Sequence, residues 1–395
     1  MSMPPAFTAK LLAKRKQEMT VAITPDIYPW YRQMLAQRIF YDERRGAWMV
    51  FRYADVERVL LDVGSFSSQR TLKPDGSVDE IAGAGMLSTD PPRHRHLRSL
   101  VVQAFTQKRV AQLEPRIRAI AAQLLDEMAQ ADTPDLVAGF AFPLPVIVIG
   151  ELLGVPAQDA LQFRQWAIDF VGNDYELRMQ TARAISGYFN ALISERTQSP
   201  RQDLISELLG AEVNGERMSH SDLIGACLLL LIAGHETTAT LIGNAMWCFD
   251  EHPEAWQQIL ADPALLPGAI EEVLRFRAVV HYLPRVVKQD MRFMDRDLEA
   301  GDLMLPMFAA ANLDPEQFPH PDRFDVRRTP NRHLGFGFGI HLCLGATLAR
   351  LEARVGLGQL MARFPRAQRD RSQSLELRQS AFVYSLKSYP IFLQG

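Results

Sequence analysis

Cysteine is scarce in this chain. Its 395 residues hold only Cys227, Cys248 and Cys343, too few and too scattered for a disulfide framework, so a reducing compartment is expected. Charge of one sign is lacking as well: 43 Lys and Arg face 46 Asp and Glu, a formal net charge of −3. Nothing in that balance draws the chain toward nucleic acid or an anionic membrane. Long apolar runs are also missing. The longest, Cys227–Ala233 and Val146–Gly150, fall far short of the roughly 20 residues that a membrane-spanning helix needs. Met1–Thr20 carries Lys10, Lys14, Arg15 and Lys16 but no continuous apolar stretch, so it reads neither as a signal peptide nor as an anchor. The expectation is a soluble, cytoplasmic protein. No repeat or low-complexity linker divides it, and a single large domain over residues 21–395 follows a segment, 1–20, to which no role is assigned.

Glycine is concentrated in one place. Gly335, Gly337, Gly339 and Gly345 bracket Phe336, Phe338, His341 and Cys343, directly before a helix-forming run. A cysteine at a helix N-terminus meets unpaired N–H groups and the positive end of the macrodipole, which favour ionised sulfur. The glycines let the backbone approach a flat ligand closely. Zinc is a poor fit, because the nearby partners are only His333 and His341, with no paired Cys-x-x-Cys. A dinucleotide loop is equally poor: after Gly339 comes Ile340, so the third glycine of that fingerprint is missing. Haem held by a thiolate remains.

The hydrophobic pattern predicts a mainly α chain with small β-sheets. Arg38–Asp42 and Trp48–Tyr53 read as strands around the turn Glu43-Arg44-Arg45-Gly46. Apolar spacing predicts one helix over Arg109–Ala131, with others at Leu161–Val171, Leu177–Glu195 and Arg201–Leu209. Ser219-His220-Ser221-Asp222 supplies an N-terminal cap before a long helix, Leu223–Asp250, that should cross the core. Further strands are expected at Met291–Leu298, Leu303–Met307 and Phe382–Leu386, with a turn at Glu299–Asp302. Midway along the long helix, Ala233-Gly234-His235-Glu236-Thr237-Thr238 sets polar groups where they need a compensating role, since burying each unpaired costs about 1–3 kcal/mol.

The run from Phe336 to Gly345 resembles the haem-binding signature F-G-x-G-x-H-x-C-x-G of the cytochrome P450 family, the haem-thiolate monooxygenases. Three more segments resemble that family in the right order. Ala233–Thr237 is similar to its A-G-x-[DE]-T motif; Glu272-Val273-Leu274-Arg275 matches E-x-x-R; and Asp90–Arg98 is similar to the D-P-P-x-H-x-x-x-R of its soluble members. The resemblance implies a P450-like fold with the long helix over haem b and Cys343 as the iron's axial ligand. It implies that His94, Arg98, Arg285 and His341 bind the propionates, that Ala233, Phe336 and Gly337 line the cofactor, and that Glu236 and Thr237 relay protons to dioxygen where the helix bulges. Glu272, Arg275 and Arg323 would form a buried charge network.

Electrons would come from NAD(P)H through a ferredoxin and its reductase, docking on Arg95, Lys108, Arg109, Arg350 and Arg354. The implied substrate is a small, apolar organic molecule, walled by Thr71–Met86, Phe163–Met179, Leu229, Leu230, Ala233, Val279–Leu283 and Phe382-Val383. The implied enzyme is a monomer. Rival readings are a peroxide-driven peroxygenase, which has less use for Glu236 and Thr237, and a non-catalytic haem sensor, which has none. Leu313 stands where relatives carry arginine, which puts a local surface contact in doubt.

Overall fold

The computed structural model describes residues 27–69, 85–171, 175–378 and 383–394. Segment 1–20, the first residues of the expected domain, nearly all of the Thr71–Met86 wall, the middle of the Phe163–Met179 wall and Phe382 lie outside them.

Helix α1 (Tyr28–Met34) leads into a hairpin of β1 (Ile39–Asp42) and β2 (Ala47–Val50). Asp42 accepts from the N–H groups of Arg44 (3.0 Å) and Arg45 (3.3 Å), and Gly46 takes φ +57°, so the turn forms where its residues favour it. The second strand stops short of Tyr53, which instead begins α2 (Tyr53–Leu61). Buried Asp314 takes the Tyr53 N–H at 2.9 Å and so satisfies a donor that the helix leaves orphaned.

After β3 (Phe66–Ser67) the chain is largely helical: α3 (Arg93–Ala104), α4 (Gln107–Gln112), α5 (Glu114–Ala129), α6 (Pro143–Leu153), α7 (Ala160–Val171), α8 (Tyr175–Gln198) and α9 (Leu204–Gly210). The single helix expected over Arg109–Ala131 is two, α4 and α5, divided at Leu113. Thr106 caps α4 by accepting the Arg109 N–H at 3.3 Å, and Pro115 opens α5 in the first turn, where its missing N–H is no loss.

A small hairpin, β4 (Glu212–Val213) with β5 (Glu216–Arg217), precedes α10 (His220–Glu251). Ser219 caps α10 as its sequence promised, accepting the Asp222 N–H at 3.1 Å. Its 32 residues pack along α6, α8 and α14 (Ala346–Arg363). By length and composition α10 alone among the described helices could cross a membrane, yet 56% of its apolar window is buried inside the protein, as in a core helix.

Helices α11 (Pro253–Ala261) and α12 (Leu266–Phe276) are followed by β6 (Arg285–Val287), β7 (Met291–Phe293), β8 (Arg296–Leu298) and β9 (Leu303–Pro306), then the short α13 (Phe308–Ala311). The strand expected over Met291–Leu298 turns back on itself as the β7–β8 hairpin, with Met294 at φ +55°. The main sheet runs β1-β2-β9-β6-β3, parallel only between β2 and β9. In place of a Phe382–Leu386 strand, the described residues show isolated bridges from Val383 to Val280 and from Leu386 to Leu377. After α14, β10 (Gln368–Arg369) pairs with β11 (Ile391–Phe392).

The largest apolar core lies between the helices, and two smaller ones cover the faces of the sheet. Successive β2 residues point to opposite faces, so Met49 joins one small core and Val50 the other. Leu313 is buried beside Tyr31 and Met34 in the first of these. It makes no surface contact; its apolar side chain belongs to the packing.

Candidate active site

Cys343 sits between a short helical turn, Gly339–His341, and the start of α14. Its N–H donates to the Phe336 carbonyl at 2.9 Å, closing a loop in which Gly337 (φ +72°) and Gly339 (φ +69°) adopt left-handed angles. A Cβ on Gly339 would lie 3.0 Å from the Leu60 carbonyl, so the loop is pressed against the end of α2. The Cys343 side chain is solvent-accessible, yet protein packs it closely enough that desolvation raises its pKa. The N–H groups of Gly345 and Ala346 and the charges of Arg98 and Arg350 oppose that rise.

Among the described residues no group of three or more His, Cys, Asp or Glu could hold a metal ion. A lone thiolate suits haem, in which the porphyrin supplies the remaining iron ligands.

Two contacts that the sequence did not disclose fix this loop from outside. Arg350 of α14 forks onto Glu271 of α12 at 2.7 and 2.8 Å and lies over the Phe336 ring, 4.4 Å from its centroid. His333 meets the same carboxylate at 3.1 Å. Burial alone would raise the pKa of Glu271, but hydrogen bonds from Arg350 and His333 pull it down to about 2.

One residue along, Glu272 is fully buried and receives Arg275 at 2.7 and 2.8 Å, as its E-x-x-R spacing suggested. Its other cationic partner is Arg328, whose Nε is 3.1 Å from each carboxylate oxygen. Arg323 does not take that place. Its side chain is exposed, and it contributes only its carbonyl, which accepts from Arg275 (3.1 Å) and Arg328 (3.0 Å).

His94, Arg98, Arg285 and His341 come together beside the cysteine loop. The His94 ring on α3 lies 4.2 Å from that of His341, and both nitrogens of His94 are buried without a hydrogen-bond partner. His341 shares a hydrogen bond with Ser68 at 2.9 Å, while Arg98 donates to the Leu342 carbonyl at 2.7 Å. Arg285, buried on β6, donates to the Pro284 carbonyl at 3.1 Å. Burial, then the charge of Arg285, pushes His341 down to about 3; burial and Arg98 also lower His94. Two guanidiniums and an orphaned, buried imidazole suit a ligand bearing carboxylates.

Midway along the mostly buried α10, Ala233 is exposed and Thr237, one turn on, is half-buried. The expected bulge is not there. The helix stays α-helical throughout, and Thr237 Oγ1 donates to the Ala233 carbonyl at 2.6 Å. π-helical geometry occurs instead at Val137–Ala141, packed against α10. Burial raises the Glu236 carboxyl to about 7, with Arg378 opposing the rise. His235 is fully buried, held on the Leu231 carbonyl, and pushed down to about 4. Leu229 and Leu230 share a small cavity with Met86 and Leu344, which sets α10 against the residue next to Cys343.

Two expected groupings change. Phe163 is buried against Phe189 and Gly150, so it is core and not a pocket wall. Of the cations expected to form a basic docking face, Arg109, Arg350 and Arg354 are ion-paired to Glu207, Glu271 and Glu114. A cleft of about 620 Å³ is lined by Lys108, Arg109, Arg116 and Glu151 among others and contains none of the candidate catalytic or cofactor-binding residues.

A long helix laid over a glycine-bracketed thiol, beside carboxylate-binding groups, defines the haem-thiolate class of oxygenase. The chain belongs to the cytochrome P450 family, whose model, "Cytochrome P450", matches residues 38–139 and 146–393. It is 40% identical over 384 residues to Cytochrome P450 107B1 of Saccharopolyspora erythraea, covering 92% of this chain and 93% of that one. It is 42% identical over 327 residues to the Mycinamicin IV hydroxylase/epoxidase of Micromonospora griseorubida, covering 81% and 82%. The crystal structure of CYP109E1 from Bacillus megaterium in complex with testosterone is similar, with a TM-score of 0.87 and 36% identity over 94% of this chain and 100% of that one. The protein is thus a cytochrome P450 monooxygenase, an enzyme class that works with haem, dioxygen, externally supplied electrons and small organic substrates.

Proposed function

We propose that this enzyme inserts one oxygen atom of dioxygen into a medium-sized apolar molecule, by hydroxylation or epoxidation, with Cys343 as the axial ligand of haem b. Haem, when bound there, supplies reductive activation of dioxygen. The observation that carries the reading is the meeting of His94, Arg98, Arg285 and His341 beside the Cys343 loop, with both nitrogens of buried His94 unpartnered. These four would hold the propionates. Phe336, Gly337 and exposed Ala233 would line the cofactor.

Glu236, with a pKa near 7, can hold and release a proton at working pH, and Thr237 can pass it on once its hydroxyl leaves the Ala233 carbonyl. The N–H groups of Gly345 and Ala346 would back the Cys343 sulfur as a ligand. Val280 bridged to Val383, with Leu229 and Leu230, would give an apolar pocket wall. Support for an apolar substrate comes from the mycinamicin IV hydroxylase/epoxidase and from the testosterone complex.

Electrons from NAD(P)H would arrive through a ferredoxin and its reductase, docking on exposed Arg95 and Lys108, since the other three cations of the expected docking face are ion-paired. The proposal includes a single domain over 21–395, a monomer, and a cytoplasmic location. The test is Thr237→Ala. It should bind haem and substrate normally but divert most reducing equivalents to hydrogen peroxide; product formation as tightly coupled as in the parent enzyme would refute the relay.

A further inference from the structure

Glu236 and Thr237 are neighbours in sequence, but on a helix they project roughly 100° apart. Thr237 shares the face of exposed Ala233. Glu236 lies instead on the face of Ala239, Thr240 and Gly243, and that face borders a cavity of about 10 Å³, closed by Val137, Phe142, Arg378, Ser385 and Leu386. A space of this size, lined by a carboxyl, a guanidinium and two hydroxyl residues, is enough for about one water with several polar partners. Arg378 reaches it from the C-terminal part of the chain. Its guanidinium lies 5.7 Å from the Phe142 ring centroid, and its backbone N–H donates to the Ser385 carbonyl at 2.8 Å, which ties it to the opposite cavity wall.

We propose that protons enter the active site through this one-water cavity, and that Arg378 is the positioning residue that governs release and recovery of the proton on Glu236. This rests on the proton-relay reading of Glu236 given above. Each turnover joins dioxygen, two electrons from the redox partner and two protons, sending one oxygen into substrate and the other into water. Each proton leaves the Glu236 carboxyl toward Thr237 and is replaced from the cavity water, which is recharged from solvent past half-buried Arg378. Among the described residues that line the cavity, Arg378 is the other charged group beside Glu236. Val137 and Phe142 are apolar, Thr240 holds the Glu236 carbonyl at 2.7 Å, and His235 on the same helix is neutral near pH 7 and turned to the Leu231 carbonyl. Arg378 is the charge that acts on Glu236, favouring its ionised form.

Variants of the haem-loaded enzyme test this. Gly243→Ala adds a methyl to the cavity wall, where the nearest atom outside its own helix, Leu386 Cδ1, is 3.8 Å away, and alanine suits a helix better than glycine. It should leave the substrate-induced spin-state change intact while raising the solvent deuterium isotope effect on kcat at least twofold. Arg378→Ala should move the infrared titration of the Glu236 carboxyl, identified by its loss in Glu236→Gln, to higher pH, and Arg378→Lys should move it part of the way back.

Unchanged isotope effect in Gly243→Ala together with an unmoved carboxyl band in Arg378→Ala would overturn the inlet. Should Arg378→Ala fail to fold, Arg378→Lys and Gly243→Ala carry the same readouts. Failure of the underlying reading looks different: Glu236→Gln would then turn over with full coupling, whatever Arg378 does to the carboxyl band.

Discussion

Arg328 Nε stands 3.1 Å from both carboxylate oxygens of Glu272, a residue 56 positions earlier in the chain and fully buried. Removing Arg328 leaves Glu272 paired with Arg275 but strips charge-assisted hydrogen bonds from a buried carboxylate, worth about 1.5–3 kcal/mol each. Arg328→Ala should therefore lose most of its folded, haem-loaded yield and melt far below the parent. Arg323→Ala should fall within about 1 kcal/mol, because only the Arg323 carbonyl takes part. Thermal denaturation of the two variants side by side checks this ranking, and equal losses would contradict it.

Glu236 gives a stability prediction with a definite sign. Its carboxyl titrates near 7 when folded and in the ordinary range, about 4.5, when unfolded. Stability from its protonated form is whole below pH 4.5 and drains away as pH rises through 7. Glu236→Gln, which cannot ionise, should be more stable than the parent at pH 8, by about 1–2 kcal/mol after allowance for partial exposure, and no more stable at pH 5. Melting curves at those two pH values decide the matter.

Glu271 behaves in the opposite sense. Its folded pKa is depressed to about 2, so its contribution is present above about pH 4.5 and lost as pH falls toward 2. Acid titration toward pH 2 should disturb the cysteine loop, seen as a change in the haem absorption band. Arg350→Ala should shift that disturbance to higher pH and cost on the order of 2 kcal/mol at neutrality.

His94 separates cofactor binding from folding. With both ring nitrogens buried and unpartnered, it costs the cofactor-free fold free energy. His94→Leu should raise the stability of cofactor-free protein by about 1 kcal/mol while haem dissociates several-fold faster. Slower haem loss in that variant would exclude a propionate contact.

Cys343→His replaces the sulfur donor in the loop with a nitrogen donor. It should retain pigment but move the reduced carbon-monoxide band to the position typical of imidazole ligation, with loss of monooxygenase turnover. A band unmoved from that of the parent would show that another residue binds the iron.

The elements set by local chemistry were legible in the sequence. The Asp42–Gly46 turn and the Ser219 cap carry their own side-chain donors and acceptors, so the hairpin and α10 lie where the residues say. The division at Leu113 was hidden because Val110, Leu113 and Ile117 keep helical spacing across the break, and only Pro115 hints at it. Tyr53 was misread for a different reason: the donor that starts its helix is capped by Asp314, far along the chain. The same limit explains the exchange of Arg323 for Arg328. Both arginines lie on one irregular stretch, and which of them turns inward depends on the path of the backbone, not on motif spacing. Glu271 and Arg378 act through partners 79 and about 140 residues distant, and no pattern within their own segments marks them.

Adjacent carboxylates on α12 point to different parts of the molecule. Glu272 anchors the irregular stretch around Arg328, while Glu271 holds Arg350 over the ring that flanks the thiol loop. A single turn of helix thus serves as a shared mooring for the outer coil and the cysteine loop. Any change that rotates that turn, even one far from the substrate, would be read out as a shift in the colour of the bound pigment before it was felt as unfolding.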